Sequence, residues 1–415
     1  MRCKIAIVVG LQWGDEGKGK IIDIIAPEYK WSVRFGGGPN AGHTVYLNSH
    51  KIIFHHIPSA SINKDTRAII SSGVVLDVDI LQKEIETLEN LGINIKEKLY
   101  ISNRAHLIMP PHKTEDTSEF AKIIGTTAQG VGPTYKDKVA RVGLRICDFL
   151  YDNRERFIDF FKYKQLNLAQ DSLEKIWQHY KQNIDNLKNN IVDTTILLQE
   201  IVKKDENLLI ECAHGTLLDI DFGTYPYVTS SHTTVCGVNA GLGFYLPRID
   251  EVCGVMKAYT TRVGSGPFVS EEKGPEGKIL QEKGREFGST TGRPRRCGWL
   301  DFVALKFAVT INNVSYLALT KVDVLNEFKE IPVLVSYKLN EKILDEYPLP
   351  VNILDKVEGV YKYLPGWGYI DFNKIESFNN LPANLLKYIE FIEEQLKTPV
   401  KIISFGIDKK NVITR

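Results

Sequence analysis

After Lys4 the chain runs Ile, Ala, Ile, Val, Val before Gly10, an apolar, largely β-branched stretch that predicts a strand buried on both faces. A glycine-rich turn follows, and then the helix-like apolar run Ile21 to Ile25. Asp77 precedes apolar residues at Leu81, Ile85, Leu88 and Leu91, with Gly92 directly after them. This spacing predicts an amphipathic helix with an aspartate N-cap and a glycine at C′. Short apolar runs recur at Ser32 to Phe35, Leu99 to Ser102, Leu208 to Glu211, Val252 to Ala258 and Tyr316 to Thr320. Alternation of such strands with helices predicts an α/β fold with a large central, mostly parallel sheet and flanking helices.

Asp152 to Lys204 reads differently. Charged and aromatic residues interleave there, with Leu173, Ile176, Trp177, Tyr180, Ile184 and Leu187 at helical spacing, which predicts a helical insertion over 152–204. Acidic residues are mixed among its basic ones, so it reads as a solvated helical face and not as a nucleic-acid surface. Trp299 to Ile311 is apolar nearly all round after Asp301 and predicts a buried helix. No internal repeat or low-complexity linker divides the chain.

Composition then narrows the classes. With 415 residues, 43% hydrophobic and 25% charged, the chain has ample material for a globular core. Lys plus Arg number 52 against 51 Asp plus Glu, so the net charge of +1 supplies no global field for a polyanion or a membrane. Any phosphate binding must therefore be local. Six scattered cysteines, with no CxxC pair and no zinc spacing, suit a reduced compartment. No signal-peptide pattern and no apolar run near the ~20 residues that span a bilayer is present, which predicts a soluble, cytoplasmic protein.

The sharpest chemical signal is Gly14-Asp15-Glu16-Gly17-Lys18-Gly19-Lys20, placed between the first strand and an apolar helix. Glycines let backbone N–H groups close around phosphate, the helix N-terminus adds partial positive charge, and Lys18 or Lys20 neutralises oxygens. The spacing fits most of a Walker A loop but departs at Ile21, where a hydroxyl would meet Mg²⁺; Asp15 offers a carboxylate ligand instead. A charged surface turn is the plain alternative. A second run, Gly36-Gly37-Gly38-Pro39-Asn40-Ala41-Gly42-His43-Thr44, offers close backbone approach, with Asn40 and His43 as hydrogen-bonding groups and His43 as a candidate acid. Taken alone it is equally a ligand loop or a tight connection.

GDEGKGK followed by NAGHT resembles the adenylosuccinate synthetase family. The resemblance continues through Gly125-Thr126-Thr127, Lys138-Val139-Ala140-Arg141, Gly215-Thr216-Leu217-Leu218-Asp219, Gly223 to Thr229, Thr290-Thr291-Gly292-Arg293 and Thr320-Lys321-Val322-Asp323. It implies a single catalytic unit over 1–415 that forms adenylosuccinate from IMP and L-aspartate at the expense of GTP. In the implied reaction Asp15 takes the N1 proton of IMP, the purine O6 attacks the γ-phosphate to give 6-phosphoryl-IMP, and aspartate displaces phosphate. Asp15 and the Gly42 carbonyl would hold Mg²⁺, and His43 would donate to the β-phosphate.

The same resemblance implies the remaining contacts. Gly14 through Lys20, Gly42, His43 and Thr44 would surround the GTP phosphates, with Arg295 beside them. Lys321, Val322, Asp323, Ser404, Phe405 and Gly406 would form the guanine pocket, where a carboxylate accepts from two donors that adenine lacks. IMP would meet Asp15, Glu16, Gly17, Lys18, Asn40, Ala41, Gly42, His43, Thr127, His214, Thr229 and Arg293. Arg141 would reach the IMP phosphate of a neighbouring subunit, which implies a homodimer. Ser289, Thr290, Thr291, Gly292, Arg293 and Arg295 would form the aspartate loop.

The chain also departs from the family pattern. His214 stands where the family has a glutamine on IMP O6, which leads to the expectation of pH-sensitive activity near neutrality. Ala128-Gln129 replace Gly-Arg, His232 an Asn, Pro294 an Arg and Phe405 a Thr. A regulatory GTPase would share the phosphate loop and the TKVD sequence but needs no acceptor site. A relative acting on another purine monophosphate such as dGMP would not need Asp15 as a ring base. A non-catalytic nucleotide-binding protein would bind without turnover.

Overall fold

The computed structural model describes residues 4–47, 50–288, 292–347 and 350–415. Ile5–Gly10 is buried along its whole length, inside a ten-stranded sheet. From one edge the order is Val412–Thr414, Val400–Ser404, Tyr316–Thr320, Glu251–Lys257, Ile5–Gly10, Leu208–Glu211, Trp31–Arg34, Arg67–Ile70, Leu99–Ser102 and Ile191–Val192. Every neighbouring pair is parallel except the edge pair Val400–Ser404 and Val412–Thr414.

Side chains of the first strand alternate between two cores, as the pleat requires. Ile5, Ile7 and Val9 join Phe302 and Leu305 of the helix Phe302–Asn312 and Tyr388 and Ile392 of the helix Ala383–Leu396. Ala6 and Val8 face the other way, onto Ile21 and Ile22 of the helix Lys18–Ile25. Burial on both faces accounts for the unbroken apolar run.

The helix read from Asp77 is Val78–Asn90, with the Asp77 carboxylate accepting from Asp79 N at 3.0 Å and Ile80 N at 3.2 Å. Gly92 follows at φ +79°. The apolar run from Trp299 becomes helical only at Phe302, because Leu300–Asp301 pairs with the strand Glu330–Leu339 and Asp301 caps the helix. The second Asp301 oxygen accepts from Tyr337 Oη at 2.7 Å.

The 152–204 stretch forms the helices Arg154–Tyr163, Gln170–Asn186 and Thr194–Lys203, and also supplies Ile191–Val192, the edge strand of the main sheet. The apolar face of its first two helices packs into a second core shared with the sheet. Trp177 stacks on Phe149 at 4.7 Å between ring centroids and lies with Phe157, Phe160 and Phe161 in the cluster that includes Ala68, Ile70 and Ile101 of the sheet. Among the described residues no helix is long and apolar enough to cross a membrane.

Candidate active site

The loop after the first strand turns on three left-handed conformations within four residues: Gly14 at φ +83°, Asp15 at +60° and Gly17 at +92°. Asp15 carries a side chain in a region that disfavours one, a strain characteristic of functional loops. Glu16 holds the loop from beneath. Its fully buried carboxylate accepts from Gln12 N at 3.1 Å, Gly14 N at 2.9 Å and Lys18 Nζ at 2.6 Å. The side chain of Glu16 is thus committed to the loop and does not line the cavity, and its carbonyl accepts from Thr320 Oγ1 at 2.7 Å.

Above the loop lies a cavity of about 300 Å³, at the lower end of small-molecule sites. It gathers most of the residues singled out from sequence: Gly14, Asp15, Gly17, Lys18 and Gly19 from the first loop, Asn40 to Thr44 from the second, and Thr127, His214, Thr229, Arg293 and Arg295 from elsewhere. The two loops touch, since a Cβ on Gly19 would lie 2.8 Å from the Thr44 carbonyl. Asn40 Nδ2 donates to Thr229 Oγ1 at 3.2 Å, while its buried Oδ1 has no partner among the described residues. Arg293 donates to the Gly125 carbonyl at 3.2 Å, which brings Arg293 beside Thr126 and Thr127 in the cavity lining. Ser289, Thr290 and Thr291 lie outside the described residues.

His43 opens the hairpin strand His43–Leu47 with Nδ1 bonded to Glu211, whose other oxygen accepts from Ser59 N at 2.7 Å and Ser59 Oγ at 3.0 Å. Nε2 is buried without a partner among the described residues. Burial lowers the His43 pKa, Glu211 opposes that, and Arg34 and Lys18 add to it. Burial pushes the Glu211 carboxyl up, but His43, Arg34 and the Ser59 amide hold it below its ordinary value. Sequence reading missed Glu211, whose glutamate looks like the end of a strand.

Asp15 is paired as well. Arg295 Nε donates to Asp15 Oδ2 at 2.7 Å, and Arg295 NH1 donates to Glu286, a carboxylate with no exposed surface. Glu286 also accepts from Lys257 Nζ at 2.9 Å and from the Tyr259 hydroxyl. Burial acts to raise the Glu286 pKa, yet Lys257, Arg295 and Lys321 bring it down to about 2. Arg262, also missed, lines the cavity and donates to Thr224 Oγ1 at 3.0 Å and the Tyr227 carbonyl at 3.1 Å.

The remaining sequence candidates sit beside the cavity and not in it. Lys20 Nζ donates to the carbonyls of Phe405 at 2.7 Å and Asn411 at 3.0 Å, so this lysine ties the helix Lys18–Ile25 to the 405–411 loop and does not line the cavity. Gly406 N donates to Asp323 Oδ2 at 3.1 Å, and the buried Asp323 Oδ1 has no partner among the described residues. Phe405 turns its ring inward, stacked on Phe372 at 4.7 Å. Ser404 is buried at a strand end, with its carbonyl accepting from Lys321 N at 2.9 Å. Val322 is buried, Lys321 donates to the Gly284 carbonyl at 2.7 Å, and Arg141 is exposed at the end of the helix Val131–Ala140.

A family model described as adenylosuccinate synthetase matches residues 7–413. The chain belongs to the adenylosuccinate synthetase family. An adenylosuccinate synthetase of Halothermothrix orenii is 45% identical over 428 residues, covering 99% of this chain and 98% of that one. A fully ligated adenylosuccinate synthetase from Plasmodium falciparum superposes with a TM-score of 0.93 at 38% identity, over 99% of this chain and 100% of that one. A cyanophage S-2L succinoaminodeoxyadenylate synthetase, bound to dGMP and dATP as an energy donor, shares the fold at TM-score 0.64 and 19% identity, over 100% and 96%. Membership makes this protein an adenylosuccinate-forming ligase of AMP biosynthesis, joining IMP to L-aspartate.

Against the adenylosuccinate synthetase pattern, His214 lines the cavity at φ +56° with a buried Nδ1 that has no partner among the described residues. Burial first, then Lys18, Arg34 and His43, push its pKa down to about 3. The expected titration near neutrality is therefore corrected: the ring is neutral there, because three cationic or ionisable neighbours and the loss of water all disfavour a second proton. His232 sits half-exposed near Asp221 Oδ2 at 3.4 Å, outside the cavity. Gln129 lies at a separate depression beside Pro39 and Glu84.

Proposed function

We propose that GTP drives this ligation through 6-phosphoryl-IMP, with Asp15 as the base that takes the IMP N1 proton. The observation that carries the reading is that Asp15, Gly42, His43 and His214 converge on one cavity, with Asp15 held through one oxygen by Arg295. Its other oxygen is left for the purine ring and for a metal. The Asp15 carboxylate and the Gly42 carbonyl are hard oxygen donors of the kind Mg²⁺ takes alongside phosphate and water, and the ion would neutralise charge on the phosphates. With Nδ1–H given to Glu211, His43 presents Nε2 to the β-phosphate and donates from it when the ring is charged, a form that the incoming anion favours. Positioning and electrostatics of this kind supply most of the catalysis in phosphoryl transfer.

GTP selection rests on Asp323, whose free buried oxygen suits the paired N1–H and amino donors of guanine. Aspartate enters at the 288–295 loop, with Arg293 on a carboxylate. Arg141, exposed and outside the cavity, suits a homodimer in which it reaches the partner's IMP phosphate. The cytoplasm is the compartment this chemistry fits.

A spectrophotometric assay tests the reading. Absorbance should change only when IMP, aspartate and GTP are all present, with ATP far poorer; turnover with ATP equal to GTP would reject the base assignment to Asp323. Asp15→Asn should abolish turnover in a folded protein, and substantial residual activity would place the base elsewhere.

A further inference from the structure

Four side chains form an alternating chain of charge that begins in the core and ends at the cavity: Lys257, Glu286, Arg295 and Asp15. Lys257 is 1% exposed and Glu286 0%, so neither is placed there by solvent. Each member has a different origin. Lys257 ends the strand Glu251–Lys257 next to the first strand, and its backbone N donates to Gln12 Oε1 at 3.0 Å. Glu286 and Arg295 face each other at the neck of the 288–293 loop, where Arg295 N donates to the Glu286 carbonyl at 2.9 Å and Gln281 Nε2 to the Arg295 carbonyl at 2.8 Å.

A guanidinium has a fixed planar fork, so anchoring NH1 fixes where Nε points. Glu286 is that anchor. Its own carboxylate cannot swing, because Lys257 Nζ and the Tyr259 hydroxyl hold the opposite oxygen. Removing the Glu286 charge would leave two buried cations with Asp15 as the nearest anion, and the Arg295 fork would have nothing to hold its outer arm.

We propose that Glu286 is a positioning residue, which sets Arg295 so that Asp15 presents one oxygen to the reacting purine, and which links the neck of the 288–293 loop to that carboxylate. This rests on the assignment of Asp15 as the ring base. Glu286 touches no substrate in this account and acts only through Arg295.

The test is a double-mutant cycle on the full-length enzyme with Glu286→Gln, Arg295→Lys and the pair. kcat, KM for each substrate, dissociation constants for IMP and GTP by calorimetry, and thermal midpoints are measured. Each single variant should lose roughly 10- to 100-fold in kcat, the range a misplaced catalytic group costs, and Glu286→Gln, which touches no substrate, should keep the IMP and GTP dissociation constants within about threefold. The pair should lose no more than the worse single variant, since both act through one contact. Additive losses, or a kcat within twofold of the parent for Glu286→Gln, would overturn the proposal. If Glu286→Gln does not fold, Glu286→Asp takes its place in the same cycle with the same two outcomes, since the shorter acid keeps the charge while drawing back from Arg295. A parent enzyme that shows no turnover with IMP, aspartate and GTP would overturn the assigned reaction and this inference with it; an active parent with additive losses overturns this inference alone.

Discussion

His214 illustrates what a side chain's surroundings do to its chemistry. Its pKa of about 3 in the fold compares with an ordinary value of 6.5, so below pH 6.5 the unfolded chain binds a proton that the folded chain refuses. The ring therefore contributes nothing to pH dependence above 6.5 and destabilises the fold progressively as pH falls toward 3. His214→Gln should leave the pH profile of kcat unchanged between pH 6 and 8. The same substitution should gain stability relative to the parent on going from pH 7.5 to pH 5, on the order of 2 kcal/mol, read from urea midpoints at the two pH values. A profile that shifts with the substitution would show a ring that titrates when substrate is bound. Asp15, Asn40 and His43 were legible because they belong to contiguous loops whose residue types carry their own meaning. Glu211, Arg262 and Glu286 were not, since each matters through a partner more than a hundred residues away or through burial that no local pattern encodes, as with Glu211 and His43 at a separation of 168.

At the scale of elements, the loop after the first strand depends on a glycine that approaches it from the connection following Leu208–Glu211. A Cβ on Gly215 would lie 2.6 Å from Gly14 N and would also overlap the Glu16 carboxylate and the Gln12 carbonyl. Gly215→Ala should therefore cost about 3 kcal/mol, since two of these atoms are backbone and cannot step aside. Displacing the loop should also reduce kcat roughly 100-fold, measured with melting curves run alongside the assay. Asp301→Ala should cost about 1–2 kcal/mol, because the N-cap bonds and the Tyr337 contact are lost together. Periodicity found the strands and the capped helix Val78–Asn90, since each carries its own spacing and end signals. It could not find Ile191–Val192, two residues long and recognisable only by the sheet edge it joins, and so 152–204 looked purely helical.

For the whole molecule, that same stretch predicts where stability and catalysis separate. Trp177 is 2% exposed and packs on Phe149 and Phe157, in a core distinct from the one beneath the first strand. Trp177→Ala should cost about 3–5 kcal/mol in a denaturant titration while kcat at 25 °C stays within about threefold, provided the protein remains folded. A collapse of kcat in a folded variant would tie this core to the site. The α/β architecture was legible because most central strands are short, largely apolar runs; the order of those strands was not, since it is fixed by pairings that span the chain. Ile5–Gly10 has Leu208–Glu211 on one side and Glu251–Lys257 on the other. A ribosome therefore releases a water-averse ribbon with one edge bare until half of the polypeptide has been made and the other bare for longer still. Truncated products that stop short of Lys257 carry the complete GDEGKGK signature but lack one wall that would hold it in shape, and should partition with chaperones and aggregates instead of with nucleotide.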